Sequence, residues 1–426
     1  MALLEKESEG NTYFLIETVR ALAEEAGGLQ SVGREELPQT LPAHGIQAIL
    51  SRRLQRVHPS WQRLLQLTAV AGRQVDLRLL SELGSGSEEF LRECANAAVL
   101  EVVEQQWRFS HDKLREALLS SLSAAEQRAL HEQVAAALER AYGGELEQQA
   151  VRLAFHYEAA ELYEQTAHYA AMAGVLGRRT GALREAATQL ERSLVYYDRV
   201  AAAPLLRARL RRLLAESQHG RGELQQALEN CQRAMELLGI PMPTNRSQLM
   251  REFSIRMAGF LLALIWPQPS ECSKEDLPRL QEFVELGWTC GPCLLWTGQG
   301  EKALLLGLVM ERIARQMNSA DAQVSSLAGL ASMFQLTGLG RLALQCRARA
   351  QRLFPLCRLQ SQKNFLQAES IFLAPSGRWT EYAVAGERLR EIGRQLGDIY
   401  AIGFGLWAAG VAFLFLLGTD LLDKAL

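Results

Sequence analysis

Two segments of this chain bring chemically capable side chains together at short spacing. Cys290-Gly291-Pro292-Cys293 is a dithiol, and a thiol held at a helix N-terminus has a depressed pKa and serves as nucleophile or redox centre. His111-Asp112 opens a helical pattern directly after the β-rich run Trp107-Arg108-Phe109-Ser110. An imidazole there adds a hydrogen-bond donor where the helix dipole already favours an anion such as phosphate. The plainer alternative is that Ser110 caps this helix and His111 packs under the preceding hairpin. A third segment, Gly10-Asn11-Thr12, reads as a helix entry with Asn11 or Thr12 as N-cap.

The missing motifs restrict the chemistry further. No G-x-x-x-x-G-K-[ST], G-x-G-x-x-G or Gly-x-Ser-x-Gly occurs, so the chain lacks the backbone cradle and Lys that position phosphates and should not hydrolyse ATP. It is expected to be no enzyme and to hold no cofactor itself. Zinc at Cys290 and Cys293 would need two further ligands, and Cys272, Cys346 and Cys357 do not supply them at recognisable spacing. His131, His156 and His168 are too far apart to share one helical face. Residues 207–212 (RARLRR) read as a solvated helix face or, alternatively, an anion contact.

The elements that must position these residues are mostly helices. With 426 residues, 48% hydrophobic and 22% charged, the chain exceeds one compact core and reads as two or more units or an extended array. Net charge is −2, and the forty Arg against six Lys are dispersed, so no nucleic acid partner is expected. Seven Cys at irregular spacing, with no signal peptide, predict free thiols and a cytoplasmic location.

Three regions follow. Residues 11–25 form a helical pattern (Phe14, Leu15, Val19, Leu22) that stops at Gly27-Gly28, and a polar linker carries Pro38 and Pro42. Residues 46–122 read as helix, helix, short helix, helix, hairpin, helix. Leu50, Leu54 and Val57 form one apolar face and Leu64, Leu65, Leu67 and Val70 another, and the runs 99–103 and 107–109 flank a Glu104-Gln105-Gln106 turn. This is a winged-helix layout, usually a DNA reader, but its recognition segment, residues 88–97, carries three Glu and one Arg and would repel phosphates.

From residue 123 a repeat emerges. Gly181, Ala186, Arg192 and Ser193 recur as Gly222, Ala227, Arg233 and Ala234, then as Gly338, Ala343, Arg349 and Ala350, with partial matches at Gly298/Ala303 and Gly377. A period of about 40, reaching Gly418, is the sign of stacked helical hairpins in which Gly ends one helix and Ala lets the next pack closely. The proline-rich stretch 240–290 (Pro241, Pro243, Pro267, Pro269, Pro278) marks one irregular repeat. The fold expected is all-α: a small winged-helix unit over 46–122, then an α-solenoid of TPR-like hairpins over 123–426 with a truncated last repeat.

In order and spacing, Gly10 to Phe14, residues 46–83 with Gly72-Arg73-Gln74-Val75-Asp76-Leu77, residues 107–118, and the first repeat (His156-Tyr157-Glu158-Ala159-Ala160, then His168 to Gly174) resemble the end of signal-transducing AAA-type ATPases of the STAND class. The likeness is to the predicted ATPases attached to adenylyl cyclases or Ser/Thr kinases. It implies that residues 1–45 are the remnant of a nucleotide-binding module, that ATP or ADP with Mg is bound only by the full-length protein, and that this chain is its non-catalytic regulatory or scaffold portion. His111 and Asp112 match a Met-His-Asp motif whose His meets the β-phosphate of ADP, with Ser110 in place of Met. Gly10, Asn11 and Thr12 match a Gly-x-Pro beside the adenine, with Thr12 in place of Pro. The partners implied are a protein or peptide on the repeats and an upstream nucleotide-binding domain.

Two alternatives stay open. A maltose-activator-type transcription regulator shares the layout but ends in a helix-turn-helix. The dithiol resembles the thioredoxin active site, but no βαβ unit or facing cis-Pro surrounds it, which favours a turn between repeat helices with two half-buried thiols. Residues 400–418 lack charge and approach the ~20 residues that span a bilayer, yet four glycines dilute them and a buried repeat helix is due there, so a membrane is not expected. The chain is also expected to be a fragment of a longer protein, with the segment from Gly418 to Leu426 beginning another repeat and an apolar end that associates.

Overall fold

The structure, a computed structural model, describes residues 45–266 and 272–423. Gly10, Asn11, Thr12, the helical pattern over 11–25, the linker with Pro38 and Pro42, and Pro267 and Pro269 lie outside the described residues. The described residues hold nineteen α-helices and one β-hairpin, and divide into two compact units, one ending at Thr166 and the other beginning at Ala167.

The first unit runs α1 (Gly45–Arg56), α2 (Pro59–Ala71), α3 (Leu77–Leu83), α4 (Ser87–Asn96), β1 (Leu100–Val103), β2 (Gln106–Phe109), α5 (Asp112–Ser120), α6 (Ala124–Ala141) and α7 (Leu146–Ala159). The apolar faces read from sequence are buried: Leu50, Val57, Leu64, Leu65, Phe90 and Phe109 share one core. The hairpin pairs Leu100 with Phe109 and Val103 with Gln106, so its loop is only Glu104-Gln105. Both have positive φ (50° and 62°), as a two-residue type I′ connection requires. Val75 donates to Trp107 O (2.8 Å) and Phe109 to Arg73 O (3.1 Å), which lays the 72–77 motif along β2. Gly86 also sits left-handed, at φ 79°, and a Cβ there would strike Trp61 at 2.8 Å. Ser123 and Glu126 form a reciprocal capping box that starts α6.

The second unit continues α8 (Tyr163–Thr180), and then runs α9 (Leu183–Arg199), α10 (Pro204–Gly220), α11 (Leu224–Leu237), α12 (Arg246–Ile265), α13 (Leu277–Trp296), α14 (Gly300–Gln316), α15 (Ala320–Leu336), α16 (Gly340–Leu353), α17 (Leu359–Leu373), α18 (Trp379–Leu396) and α19 (Ile399–Asp423). The period near 40 is a helical hairpin. Gly181, Gly222, Gly298, Gly338 and Gly377 all have φ between 67° and 81° and follow α8, α10, α13, α15 and α17. At Gly222, Gly298 and Gly338 the next N–H reaches back to the carbonyl of Gln218, Leu294 and Phe334 at 2.8–2.9 Å, a Schellman closure. The alanines five residues on, Ala186, Ala227, Ala303 and Ala343, are buried. Their smallness matters, since a Cβ on Gly177 of α8 would already meet Ala186 Cβ at 3.1 Å. Pro241 and Pro243 lie in the loop before α12, the helix inserted between two repeats, and Pro278 takes the first turn of α13.

Two expectations fail here. Gly418 ends no helix: α19 runs through it to Asp423, because a lone glycine costs only about 1 kcal/mol against Ala. Nor is residues 400–418 a fully buried repeat helix. Ala401, Ala408 and Ala412 are buried, and a Cβ on Gly405 would lie 2.5 Å from Gly386 O, but Trp407, Phe413, Leu414 and Phe415 are half or more exposed. By length and composition alone Ile399–Leu417 is apolar enough to cross a membrane. Such a row of large apolar side chains seeks a partner. The chain is therefore expected to associate in a concentration-dependent way, and the double change Phe413→Glu and Leu414→Glu should abolish this. Sedimentation velocity checks it, and a parent chain that stays monomeric at high concentration contradicts it.

Candidate functional site

His111 is the N-cap of α5: its Nδ1 accepts from Lys113 N at 3.1 Å. Ser110 does not cap the helix, because its Oγ donates to Ala98 O (2.8 Å) and ties the strand end to the α4 turn instead. Asp112, in the first turn, pairs with Arg73 Nε at 3.1 Å. An imidazole accepting at Nδ1 carries its proton on Nε2. Burial pulls the His111 pKa below its usual value, Asp112 opposes this, and Arg73 and Lys113 add to it. The ring at this helix start is accordingly a neutral donor at neutral pH.

The dithiol is not a turn, and its thiols are not half-buried. Cys290-Gly291-Pro292-Cys293 lies inside α13, with Cys290 1% and Cys293 0% exposed. Cys293 lies far from a helix N-terminus, and burial, with Cys290 beside it, pushes its pKa up to about 12 against an opposing backbone hydrogen bond. Cys231 of α11 packs beside both thiols, and contact with Cys290 together with burial raises its pKa as well. The arrangement has the physics of packing thiols. Among the described residues no group of three metal ligands forms.

Residues 207–212 are only in part a solvated face: Arg209 is exposed, while Arg207, Arg211 and Arg212 are turned into ion pairs. Arg212 is the hub of an ion-pair cluster: its Nε meets Glu282 Oε1 at 2.6 Å, its Nη1 Glu216 Oε1 at 2.6 Å and its Nη2 Glu285 Oε2 at 3.0 Å. Arg178 of α8 pairs with Glu216, Arg209 reaches Glu282 at 3.4 Å, and Thr289 Oγ1 donates to Glu216 at 3.3 Å. Arg207 and Arg211 both pair with Asp198. Burial would raise the Glu216 pKa, but Arg212 and Arg178 outweigh it and hold the carboxylate below its usual range. Arg212 is pushed up against burial by the surrounding carboxylates. The same layering continues along the array in Arg347 with Glu369 (2.9 Å) and Lys363 with Asp398 (2.8 Å). The sequence holds one local trace of this hub, the Arg212/Glu216 pair at i,i+4; the rest is tertiary.

Beside this cluster, α13, α14, α15 and α17 enclose a cleft of about 80 Å³ with no charged residue in its lining. Trp288, Pro292, Gly329 and Ile371 line it. The sequence pattern gave no sign of it.

The first unit also holds a pair that spacing hid. His131 of α6 and His156 of α7 meet Nδ1 to Nδ1 at 2.9 Å, so one ring donates and the other accepts. His168 is not part of this contact. Burial first, and His131 and Arg152 next, lower the His156 pKa to about 3.

Closed hairpins stacked one on the next define an all-α helical-repeat protein. No family model and no curated protein matches the chain. Among solved structures it is similar to the apo form of RapI (TM-score 0.39, 11% identity, over 98% of this chain and 99% of that one). It is also similar to a Rap protein complexed with competence and sporulation factor (TM-score 0.35, 11% identity, 87% and 99%). A third is a signal transduction ATPase with numerous domains bearing a tetratricopeptide repeat sensor, from Pyrococcus horikoshii (TM-score 0.27, 14% identity, 99% and 73%).

Two outcomes follow from these geometries. Arg212→Leu strands Glu282, which is only 3% exposed, and should cost about 3–5 kcal/mol in urea unfolding. Arg212→Leu with Glu282→Leu should recover much of that loss, and a double variant no better than the single one removes the hub. For His156 the folded pKa lies below the unfolded value of about 6.5, so its contribution is full above that pH and is lost as pH falls toward 3. Unfolding free energy should drop by roughly 2–3 kcal/mol between pH 7 and pH 4 on this account, and His156→Leu should flatten the dependence. An unchanged slope in that variant assigns the acid sensitivity elsewhere.

Proposed function

We propose that this chain is a non-catalytic regulatory protein that binds a protein or peptide partner on its helical array. The observation that carries the reading is the uncharged cleft left open between α13, α15 and α17, in a wall whose buried charges compensate one another. Such a wall reads apolar shape.

The finer reading is that the chain works in the cytoplasm as the sensor half of a STAND-type ATPase whose nucleotide module is supplied upstream. The helices and hairpin of residues 46–122 take the winged-helix place, and His111, protonated on Nε2, offers its N–H to the β-phosphate of ADP. Two observations support it: the element order α2, α3, α4, hairpin, α5, and the neutral cap at His111. Partner binding would shift the population between ADP-locked and ATP-open states.

The test has two parts. The chain alone should show no calorimetric heat with Mg-ATP at about 100-fold the micromolar affinities of nucleotide sensors, or about 100 µM. In a protein carrying both this chain and a phosphate-binding loop, His111→Ala should release ADP faster while folding stability falls by only about 1 kcal/mol, the worth of a cap. Unchanged ADP retention removes the nucleotide role of His111 and leaves the partner-binding reading standing.

A further inference from the structure

The cleft is built from residues that weaken the helices around it. Pro292 stands in the middle of the 20-residue α13, where it removes a backbone hydrogen bond and clashes with the preceding turn. Gly291 before it spares the clash that a Cβ would make with the proline ring. Gly329 is in the middle of α15, where glycine weakens a helix relative to alanine. Gly259, Gly403 and Gly410 have open space around them, but other helix-interior glycines of this unit are required by packing: a Cβ on Gly287 would lie 2.3 Å from Met310 Sδ, and one on Gly307 would lie 2.9 Å from Leu330 Cδ2. Gly329 has no such reason. A Cβ there would meet only Trp288 Cζ2, at 4.0 Å, an ordinary contact. Pro292 and Gly329 line the same cleft, and Trp288 on its wall has a buried indole N–H with no hydrogen-bond partner. Pro292 and Gly329 both weaken their helices and both leave this cleft unfilled.

We infer that this cleft is the anchor pocket for a branched aliphatic side chain, of Leu, Ile or Val, on the partner peptide. This rests on the partner-binding reading above. Its volume of about 80 Å³ is roughly half that of the 150 Å³ apolar cavity that takes benzene, which suits an isobutyl or isopropyl group and is too small for an indole. The uncharged lining rejects Asp, Glu, Lys and Arg through desolvation.

N-acetyl-leucine methylamide and N-acetyl-aspartate methylamide, titrated into the full chain and followed by saturation-transfer NMR, test the pocket directly. The leucine compound should show transfer to its methyl groups, and the aspartate compound should show none. Gly329→Leu fills the cleft and should abolish the transfer. Gly329→Ala should raise the melting temperature while keeping at least part of it, which separates a filled pocket from a failed fold. A 12-residue phage-displayed library panned on the same protein tests the broader reading. Enriched peptides should carry an aliphatic anchor and lose at least tenfold in affinity on Gly329→Leu. No transfer to the leucine compound, or transfer unchanged in Gly329→Leu, overturns the pocket. Enriched peptides indifferent to Gly329→Leu would overturn the pocket while the partner-binding reading survives, and a library that yields no binder counts against that reading itself.

Discussion

Arg212 is the constraint around which the second unit is arranged. A guanidinium removed from water costs several kcal/mol unless carboxylates and hydrogen bonds surround it, and here Glu216, Glu282 and Glu285 do so. Those partners come from α10 itself and from α13, and Arg178 brings in α8. Three helices are thereby held in one relative register by a single neutralised cluster. The cluster also crosses the irregularity in the repeat. The inserted helix α12 separates α11 from α13 in sequence, yet Arg212 of α10 reaches Glu282 of α13 directly, so the array resumes its stacking beyond the insertion. Hydrophobic burial alone is non-directional and would tolerate a slip of α13 along α10, whereas a bound carboxylate pair does not.

Around that register the hairpins close by backbone chemistry. The left-handed Gly181, Gly222, Gly298 and Gly338 each follow a helix and help satisfy the carbonyls it leaves open, and the buried alanine five residues on lets the next helix approach closely. Tight stacking at the glycine end contrasts with looseness at the cleft, where Pro292 and Gly329 take material away. The two kinds of glycine are told apart only by what a Cβ would touch: Gly307 and Gly405 would collide, Gly329 would not.

That distinction also marks how far the sequence could be read. The hairpin over 100–109, the capping box at Ser123, the helix entries and the glycine period are local in the chain, set by turn chemistry and periodicity, and the residues themselves announce them. Pairings between distant helices are not announced. Arg-Ala-Arg-Leu-Arg-Arg over 207–212 has the composition of a solvated face, and only the arrival of Glu282, seventy positions away, draws Arg212 into a buried ion-pair cluster. His131 and His156 share no helical face and meet because α6 and α7 fold back on one another. Cys290-Gly291-Pro292-Cys293 carries two strong turn-forming residues, and still packing on both sides of α13 keeps it helical, as tertiary contacts routinely override propensity. His111 shows the intermediate case: its place at a helix start was legible, but which side chain caps that start depended on whether Ser110 found a partner in Ala98.

The override at α13 links stability to function. A proline in a helix interior costs about 3 kcal/mol, and the unit sustains it because Cys290, Cys293, Phe283 and Leu286 are fully buried on the other side of the same helix. The buried side supplies the free energy, and the opposite side uses it to hold an open, uncharged wall. This asymmetry within one helix separates the buried dithiol from the cleft-lining residues between and beside it. Both thiols belong to the packed side, shut away from solvent, and burial raises the pKa of Cys293. Gly291 and Pro292, between them in sequence, turn toward the cleft, where the shape of the backbone rather than the reactivity of a side chain is what a partner meets.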